Sequence, residues 1–247
     1  MSKVIVITGA NGGLGRALAR RFAGDGEKVV LLGRSLAKVQ EIADEIGAPA
    51  VALACDVTSP DSVRAAFSAI RELHSGIDVL INNAAIFEPM LIEEASDGHI
   101  INGAMTNLVG PMLCARSAIP LMSRGGLIVA VSSESIALPF PHLLVYQSTK
   151  AALEKFTLGL HDELEDRGIR CCVVRAGQMY GEGMSVDMGP ETVARFFAAA
   201  AKRGLHLAER GVTNYDSATQ VFRAVIDAPA DMHMDVVSFH ARPASSQ

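Results

Sequence analysis

KVIVITGANGGLG, residues 3–15, decides the fold. Val4–Ile7 is an unbroken apolar run, followed by Thr8 and a turn rich in glycine. Leu14, Ala17, Leu18 and Phe22 then recur at the helical period. A strand without polar alternation is buried on both faces, which requires a parallel sheet covered by helices. Glycines permit the tight turn and a close backbone approach, and the helix start offers free N–H groups and partial positive charge. The order strand, glycine turn, helix therefore predicts a phosphate cradle. Its candidate cofactor-binding residues are Gly9, Asn11, Gly13, Leu14 and Gly15. The spacing G-x-x-x-G-x-G departs from the G-x-G-x-x-G dinucleotide fingerprint but shares its physics.

The same alternation continues along the chain. Apolar runs recur at Val29–Leu32, Val51–Ala54, Val79–Ile81, Leu127–Val131, Cys172–Val174 and Val236–Phe239, with amphipathic stretches between most of them. This predicts an α/β chain, a Rossmann-type doubly wound sheet of about seven parallel strands with helices on both faces. No linker or repeat divides it, so residues 1–247 read as a single dinucleotide-binding domain. Residues 178–211 contain no strand-like run and read as a substrate-cover insertion, made unusually apolar by Met179, Met184, Met188, Phe196 and Phe197.

Composition narrows the function. Of 247 residues, 49% are hydrophobic and 20% charged, which provides for a large core and excludes a disordered chain. The net charge of -5 and the lack of a basic stripe argue against nucleic acid. The longest uncharged stretch, Ile100–Ala115, is too short and too rich in Asn and Gly to span a bilayer. No metal site is expected, because there is no C-x-x-C or His-rich cluster among Cys55, Cys114, Cys171 and Cys172. Cys171 and Cys172 point to opposite faces of a strand. Reduced thiols and a strand beginning near Lys3 give the expectation of a cytoplasmic protein.

Two further features bear on chemistry. The second strand ends at Gly33-Arg34, where an acidic residue ordinarily holds the ribose hydroxyls of NAD. Gly33 removes that carboxylate and Arg34 offers a guanidinium to a 2′-phosphate, so NADP(H) is preferred, with NAD(H) as the alternative. Tyr146 and Lys150 lie four apart in YQSTKAAL, on one face of a helix. An ammonium beside a phenol favours phenolate, and the Tyr146 pKa is expected to fall from about 10 toward neutrality.

Taken together, these motifs resemble the short-chain dehydrogenase/reductase family along nearly the whole chain. Asp56-Val57 resembles the pair that contacts adenine, and Asn82-Asn83-Ala84-Ala85 the N-N-A-G motif. Asn107, Ser133, Tyr146 and Lys150 fall in the order of the family's catalytic tetrad. The resemblance implies that Tyr146 is the acid/base, that Ser133 orients the carbonyl and that Lys150 lowers the Tyr146 pKa and holds the nicotinamide ribose. It further implies that Asn107 holds a proton-relay water and that Asn83, Ala84, Gly177 and Met179 join the cofactor site. Ser133, rather than adjacent Ser132, has the family's interval to Tyr146. Three departures bear on nicotinamide anchoring: Ala85 replaces Gly, Ala176 replaces Pro, and Gly181 stands where a Thr is common. Family members are commonly homodimers or homotetramers, and Ala151, Ala152, Leu153 and Phe156 are candidate interface positions.

The expected reaction interconverts a ketone or aldehyde with an alcohol. Ile136, Leu138, Phe140, Leu143, Met179 and Tyr180 are expected to line an apolar pocket for an uncharged hydrophobic substrate, with core packing as the competing reading. His142 has two readings, a substrate-facing residue or, as the stronger expectation, a surface-loop histidine. The alternative functions are a non-catalytic dinucleotide-binding sensor or scaffold and a sugar-nucleotide epimerase or dehydratase, which usually carries a longer carboxyl-terminal domain.

Overall fold

The computed structural model describes residues 2–183, 189–229 and 231–243. The first elements in chain order are β1 (Val4–Thr8), α1 (Gly13–Gly24), β2 (Lys28–Gly33), α2 (Leu36–Ile46), β3 (Ala50–Ala54), α3 (Pro60–Leu73) and β4 (Ile77–Asn82). They are followed by α4 (Asp97–Ala104), α5 (Gly110–Ala118), β5 (Met122–Ser133), α6 (Leu144–Leu164) and β6 (Arg170–Ala176). The last are β7 (Met179–Tyr180), α7 (Pro190–Ala201), β8 (Thr213–Asn214), α8 (Tyr215–Ile226) and β9 (Val236–Phe239).

Seven strands form one parallel sheet in the order β3-β2-β1-β4-β5-β6-β9. β1 is buried at all five positions, as its apolar run requires. Side chains alternate across the sheet, so one core lies on each face. Ile5, Ile7, Leu18, Phe22 and Phe222 belong to one, and Val6, Leu32, Phe67, Ile70 and Leu80 to the other. Cys172 joins the first core and Cys171 the second, on opposite faces as expected. The winding direction reverses between β1 and β4, so the crevice at their carboxyl ends is the ligand position of a doubly wound sheet.

The cover region corrects one expectation. Residues 178–211 were expected to be strand-free, but β7 pairs in parallel with β8, with Thr213 N–H donating to the Gln178 carbonyl at 2.9 Å. Two residues of main-chain pairing leave no apolar periodicity, so sequence pattern could not reveal them. The pairing brings together the two ends of the excursion that carries α7. A third core of Phe140, Leu143, Phe196, Ala200, Leu205 and Leu207 packs the cover onto the segment before α6. Phe140 and Leu143 are therefore core, not pocket wall, and Leu138 packs against them. Phe196 is buried and Phe197 exposed, while Met184 and Met188 lie outside the described residues.

Candidate functional site

The glycine turn is fixed from below by the segment after β4. Thr8 Oγ1 accepts from the Asn83 and Ala84 N–H groups at 3.0 Å. Asn83 Nδ2 donates to the Thr8 carbonyl at 2.9 Å and the Gly9 carbonyl at 3.2 Å. The Asn83 amide is thus spent on shaping the turn. Gly9 has φ 65°, and a Cβ there would stand 2.8 Å from Ala84 Cα. A Cβ at Gly15 would stand 2.4 Å from the Gly9 carbonyl oxygen, so this close approach also requires glycine.

α1 starts from Gly12 with no side-chain cap and no acidic residue in its first turn. Its leading N–H groups are left for an anion, which fits a dinucleotide pyrophosphate. Leu14 points elsewhere, into the first core, so only its main chain is available there. Gly33 packs against α2, and a Cβ at that position would lie 2.7 Å from Val39 Cγ1 and 3.7 Å from Asn11 Oδ1. Arg34 is exposed and enters no ion pair among the described residues. Asp56 Oδ1 accepts from Thr58 N at 2.9 Å and Thr58 Oγ1 at 2.7 Å, a local turn that fixes its orientation. Val57 is buried beneath Gly110 in the second core.

The opposite wall of the crevice comes from the segment after β6. Ala176 remains in the sheet between Ser133 and Phe239, and Gly177 N–H donates to the Phe239 carbonyl at 2.9 Å. Alanine at 176 keeps the N–H that a proline would delete from the strand. Met179 is partly buried and packs against the first core together with Tyr215. Gly181 has φ 153°, and a Cβ there would meet Tyr215 Cδ2 at 2.6 Å. Tyr215 therefore occupies the space a threonine would need. Glu182 reaches back to α1 and pairs with Arg16 and Arg20, both at 2.7 Å.

β5 delivers Ser133, and α6 delivers Tyr146 and Lys150 on consecutive turns. Ser133 Oγ accepts from Ser135 N–H at 3.2 Å. Ser132 points the other way, donating to buried Glu154 at 2.6 Å, which in turn pairs with Arg175 at 2.7 Å. Lys150 is 2% exposed and donates to the Val131 carbonyl at 2.8 Å. Burial lowers its pKa to about 8. Burial also pushes Tyr146 up to about 12, against a smaller opposing effect of the Ser133 hydroxyl. The expectation that Lys150 draws the Tyr146 pKa toward neutrality is therefore corrected for the protein alone. The ammonium sits 5.7 Å from the phenol ring centre and is directed at a carbonyl, so desolvation wins.

Asn107 lies in a π-helical turn, Met105–Val109, between α4 and α5. Such bulges re-aim side chains inside a helix. Asn107 Oδ1 accepts from Ile86 N–H at 2.8 Å, and its Nδ2 donates to the Ile86 carbonyl at 3.0 Å and Thr149 Oγ1 at 3.3 Å. Beside Tyr146 opens a cleft whose lining includes Asn107, Ile86, Glu88, Met90, His99 and His142. His142, expected on a surface loop, lines this cleft with φ 57°. Sequence reasoning did not single out Glu88 or His99, because they sit in separate segments with no spacing relation to the tetrad. Ala85 is exposed beside this wall. Leu153 is buried and Phe156 packs against the second core, so these two candidate interface positions serve the chain's own core.

Comparison with known proteins agrees with this geometry. The family model for short chain dehydrogenases matches residues 3–191. The chain is 33% identical over 193 residues to a serine 3-dehydrogenase of Agrobacterium fabrum, covering 76% of this chain and 77% of that protein. It is 31% identical to carbonyl reductase family member 4 of Danio rerio, covering 79% and 83%. An alcohol dehydrogenase from Thermococcus sibiricus, solved with 5-hydroxy-NADP, superposes with a TM-score of 0.82 at 25% identity, covering 98% and 99%. A 3-ketoacyl-(acyl-carrier-protein) reductase from Brucella melitensis, solved with NADH, gives 0.80 at 25% identity, covering 99% and 98%. The motifs, the sheet order and these likenesses agree: the chain belongs to the short-chain dehydrogenase family.

Proposed function

We propose that this protein is an NADP(H)-preferring oxidoreductase that interconverts a ketone or aldehyde with the corresponding alcohol. The observation that carries the reading is the convergence of Ser133, buried Lys150 and Asn107 around Tyr146, with the uncapped start of α1 on the same sheet. NADP(H), when bound, supplies or takes the hydride. Ser133 and Tyr146 hydrogen-bond the substrate oxygen, and Tyr146 gives or takes its proton. Lys150 holds positive charge beneath the phenol and binds the nicotinamide ribose. Asn107 holds the π-turn against Ile86 and positions the water that connects Lys150 to solvent. The free N–H groups of α1 bind the pyrophosphate, Asp56-Val57 flank the adenine, and Arg34 takes the 2′-phosphate. Gly177, Ala84 and the main chain of Leu14 line the cofactor.

The four cysteines are free, which suits a reducing, cytoplasmic setting. Assembly as a homodimer or homotetramer belongs to the same proposal, with exposed Ile100 and Ile101 on α4 and Ala151 on α6 as its apolar surface. The second reading is a non-catalytic dinucleotide-binding sensor or scaffold built on the same glycine turn, where a Cβ on Gly12 would stand 2.7 Å from the Gly183 carbonyl oxygen. NADPH consumption with a panel of ketones and aldehydes, with NADH in parallel, separates the two readings. Turnover preferring NADPH supports the reductase; NADPH binding without turnover on any carbonyl supports the sensor.

A further inference from the structure

The cleft beside Tyr146 has apolar walls at Ile86, Met90 and Val145, and charged and polar side chains between them. It opens to solvent and carries one carboxylate and two imidazoles along its wall: Glu88, His99 and His142. Each is placed by a specific local device.

His99 sits in the first turn of α4, where Ser96 Oγ accepts from its backbone N–H at 3.3 Å. The Ser96 hydroxyl is 2.8 Å from His99 Nδ1, and the Ser96 N–H donates to the same nitrogen at 3.4 Å. Nδ1 therefore accepts, and the neutral ring carries its proton on Nε2. Nε2 lies 3.9 Å from Glu88 Oε2, too long for a strong direct bond and suited to a group placed between or beside them. Glu88 makes no other ion pair among the described residues, whereas neighbouring Glu94 is committed to Arg195 at 2.6 Å.

His142 is the one non-glycine residue with positive φ among the described residues. A left-handed backbone is uncommon outside glycine, although His, Asn and Asp are enriched there, and such conformations cluster at ligand sites. The Met90 N–H donates to the His142 carbonyl at 2.7 Å and locks this conformation onto the Glu88 segment. The third core, through Phe140 and Leu143, holds the residues on either side.

We infer that this cleft receives a small zwitterion, a 2-amino-3-hydroxy acid or the matching 3-oxo acid, with Glu88 binding the ammonium and His99 and His142 binding the carboxylate. The inference rests on the redox reading above and names its substrate class. In the oxidising direction the alcohol carbon loses hydride to NADP+ and the hydroxyl proton leaves through Tyr146, giving the carbonyl. A charged group placed beside a donor of fixed tautomer gains a charge-assisted hydrogen bond that no hydrocarbon can replace. A site built to hydrogen-bond a group discriminates strongly against the analogue that lacks it.

The test compares three alcohols of matched length with NADP+: a 2-amino-3-hydroxy acid, the 3-hydroxy acid lacking the amine, and a neutral secondary alcohol. The expected kcat/KM for the zwitterion exceeds both others by at least tenfold. Glu88→Gln and His99→Leu should each reduce that preference at least tenfold, mainly through KM, with His99→Gln restoring part of it. His142→Gly keeps the backbone conformation and should act in the same direction. Equal or better use of either analogue by the unaltered protein overturns the inference and leaves the redox reading standing. If none of the three turns over, calorimetric titration of the zwitterion into the protein–NADPH complex decides. Binding that Glu88→Gln weakens at least tenfold supports the inference, and no binding overturns it. Silence across the wider carbonyl panel is what defeats the redox reading itself.

Discussion

Arg210 Nη2 donates to Glu134 Oε2 at 2.6 Å, tying the chain beyond α7 to the residue that follows Ser133. Glu134 is 9% exposed, and the Arg210 guanidinium also lies 6.0 Å from the Phe140 ring centre. The chain beyond α7 and the end of β5 are thereby joined by one charged contact beside an apolar one.

Removing one side of this pair strands the other. Arg210→Met should cost about 2 kcal/mol, the scale of a lost charged hydrogen bond in a partly buried setting. Chemical denaturation should show a lower midpoint, and steady-state kinetics should show a raised KM. An unchanged midpoint together with an unchanged KM means the cover is held by the third core alone.

Tyr146→Phe should lower turnover by at least about a hundredfold, the lower range of general acid–base effects, while NADPH still binds. Fluorescence titration of NADPH beside a rate assay checks both halves. Near-normal turnover rejects Tyr146 as the proton donor.

Alkaline stability should follow two opposed windows. The Lys150 pKa is depressed from 10.5 to about 8 in the fold, so its contribution is fully present above about 10.5. That contribution is lost as pH falls through about 8. Tyr146 is raised from 10.0 to about 12, so its contribution is full below about 10 and lost as pH rises through about 12. Urea midpoints should therefore rise between pH 8 and 10 and fall above that range. Lys150→Met should flatten the rise and keep the fall; a rise that survives the substitution assigns it to another group.

Cofactor choice should not invert through Gly33 alone. A Cβ there meets Val39 Cγ1 at 2.7 Å, so Gly33→Asp introduces its carboxylate at the expense of packing. Gly33→Asp with Val39→Ala should favour NADH more than Gly33→Asp does. Arg34→Ala should cut the NADPH:NADH ratio of kcat/KM about tenfold, the value of one modest charged contact near 1.4 kcal/mol. An unchanged ratio in Arg34→Ala removes the basis for assigning the 2′-phosphate to that residue.

Acid should loosen the carboxyl-terminal side of the sheet. His161 and His233 stack with ring centres 3.6 Å apart, and His233 lies 2.9 Å from Asp235. Burial, then the His161 charge, lowers the His233 pKa below 6.5, against a smaller opposing effect of Asp235. Its stability contribution is therefore full above about 6.5 and lost as pH falls through the depressed value. Thermal midpoints of His233→Phe should fall less between pH 7 and 5 than those of the unaltered protein. A parallel fall in both proteins places the acid sensitivity elsewhere.

The seven apolar runs, the glycine turn and the Tyr146–Lys150 spacing were legible because each is a local pattern. Burial on both faces demands continuous apolar strands, a tight turn demands glycine, and one helical turn places residues four apart on one face. These patterns determined the fold, the crevice and the order of the candidate tetrad. Tertiary structure decided what lies between elements distant in sequence. It turned Phe140 and Leu143 into core, packed Met179 against the first core and brought β7 to β8. It also set Glu88, His99 and His142 around one cleft. The Tyr146 and Lys150 pKa shifts belong to the same class, because desolvation depends on every atom packed around a group and not on its neighbours in the chain.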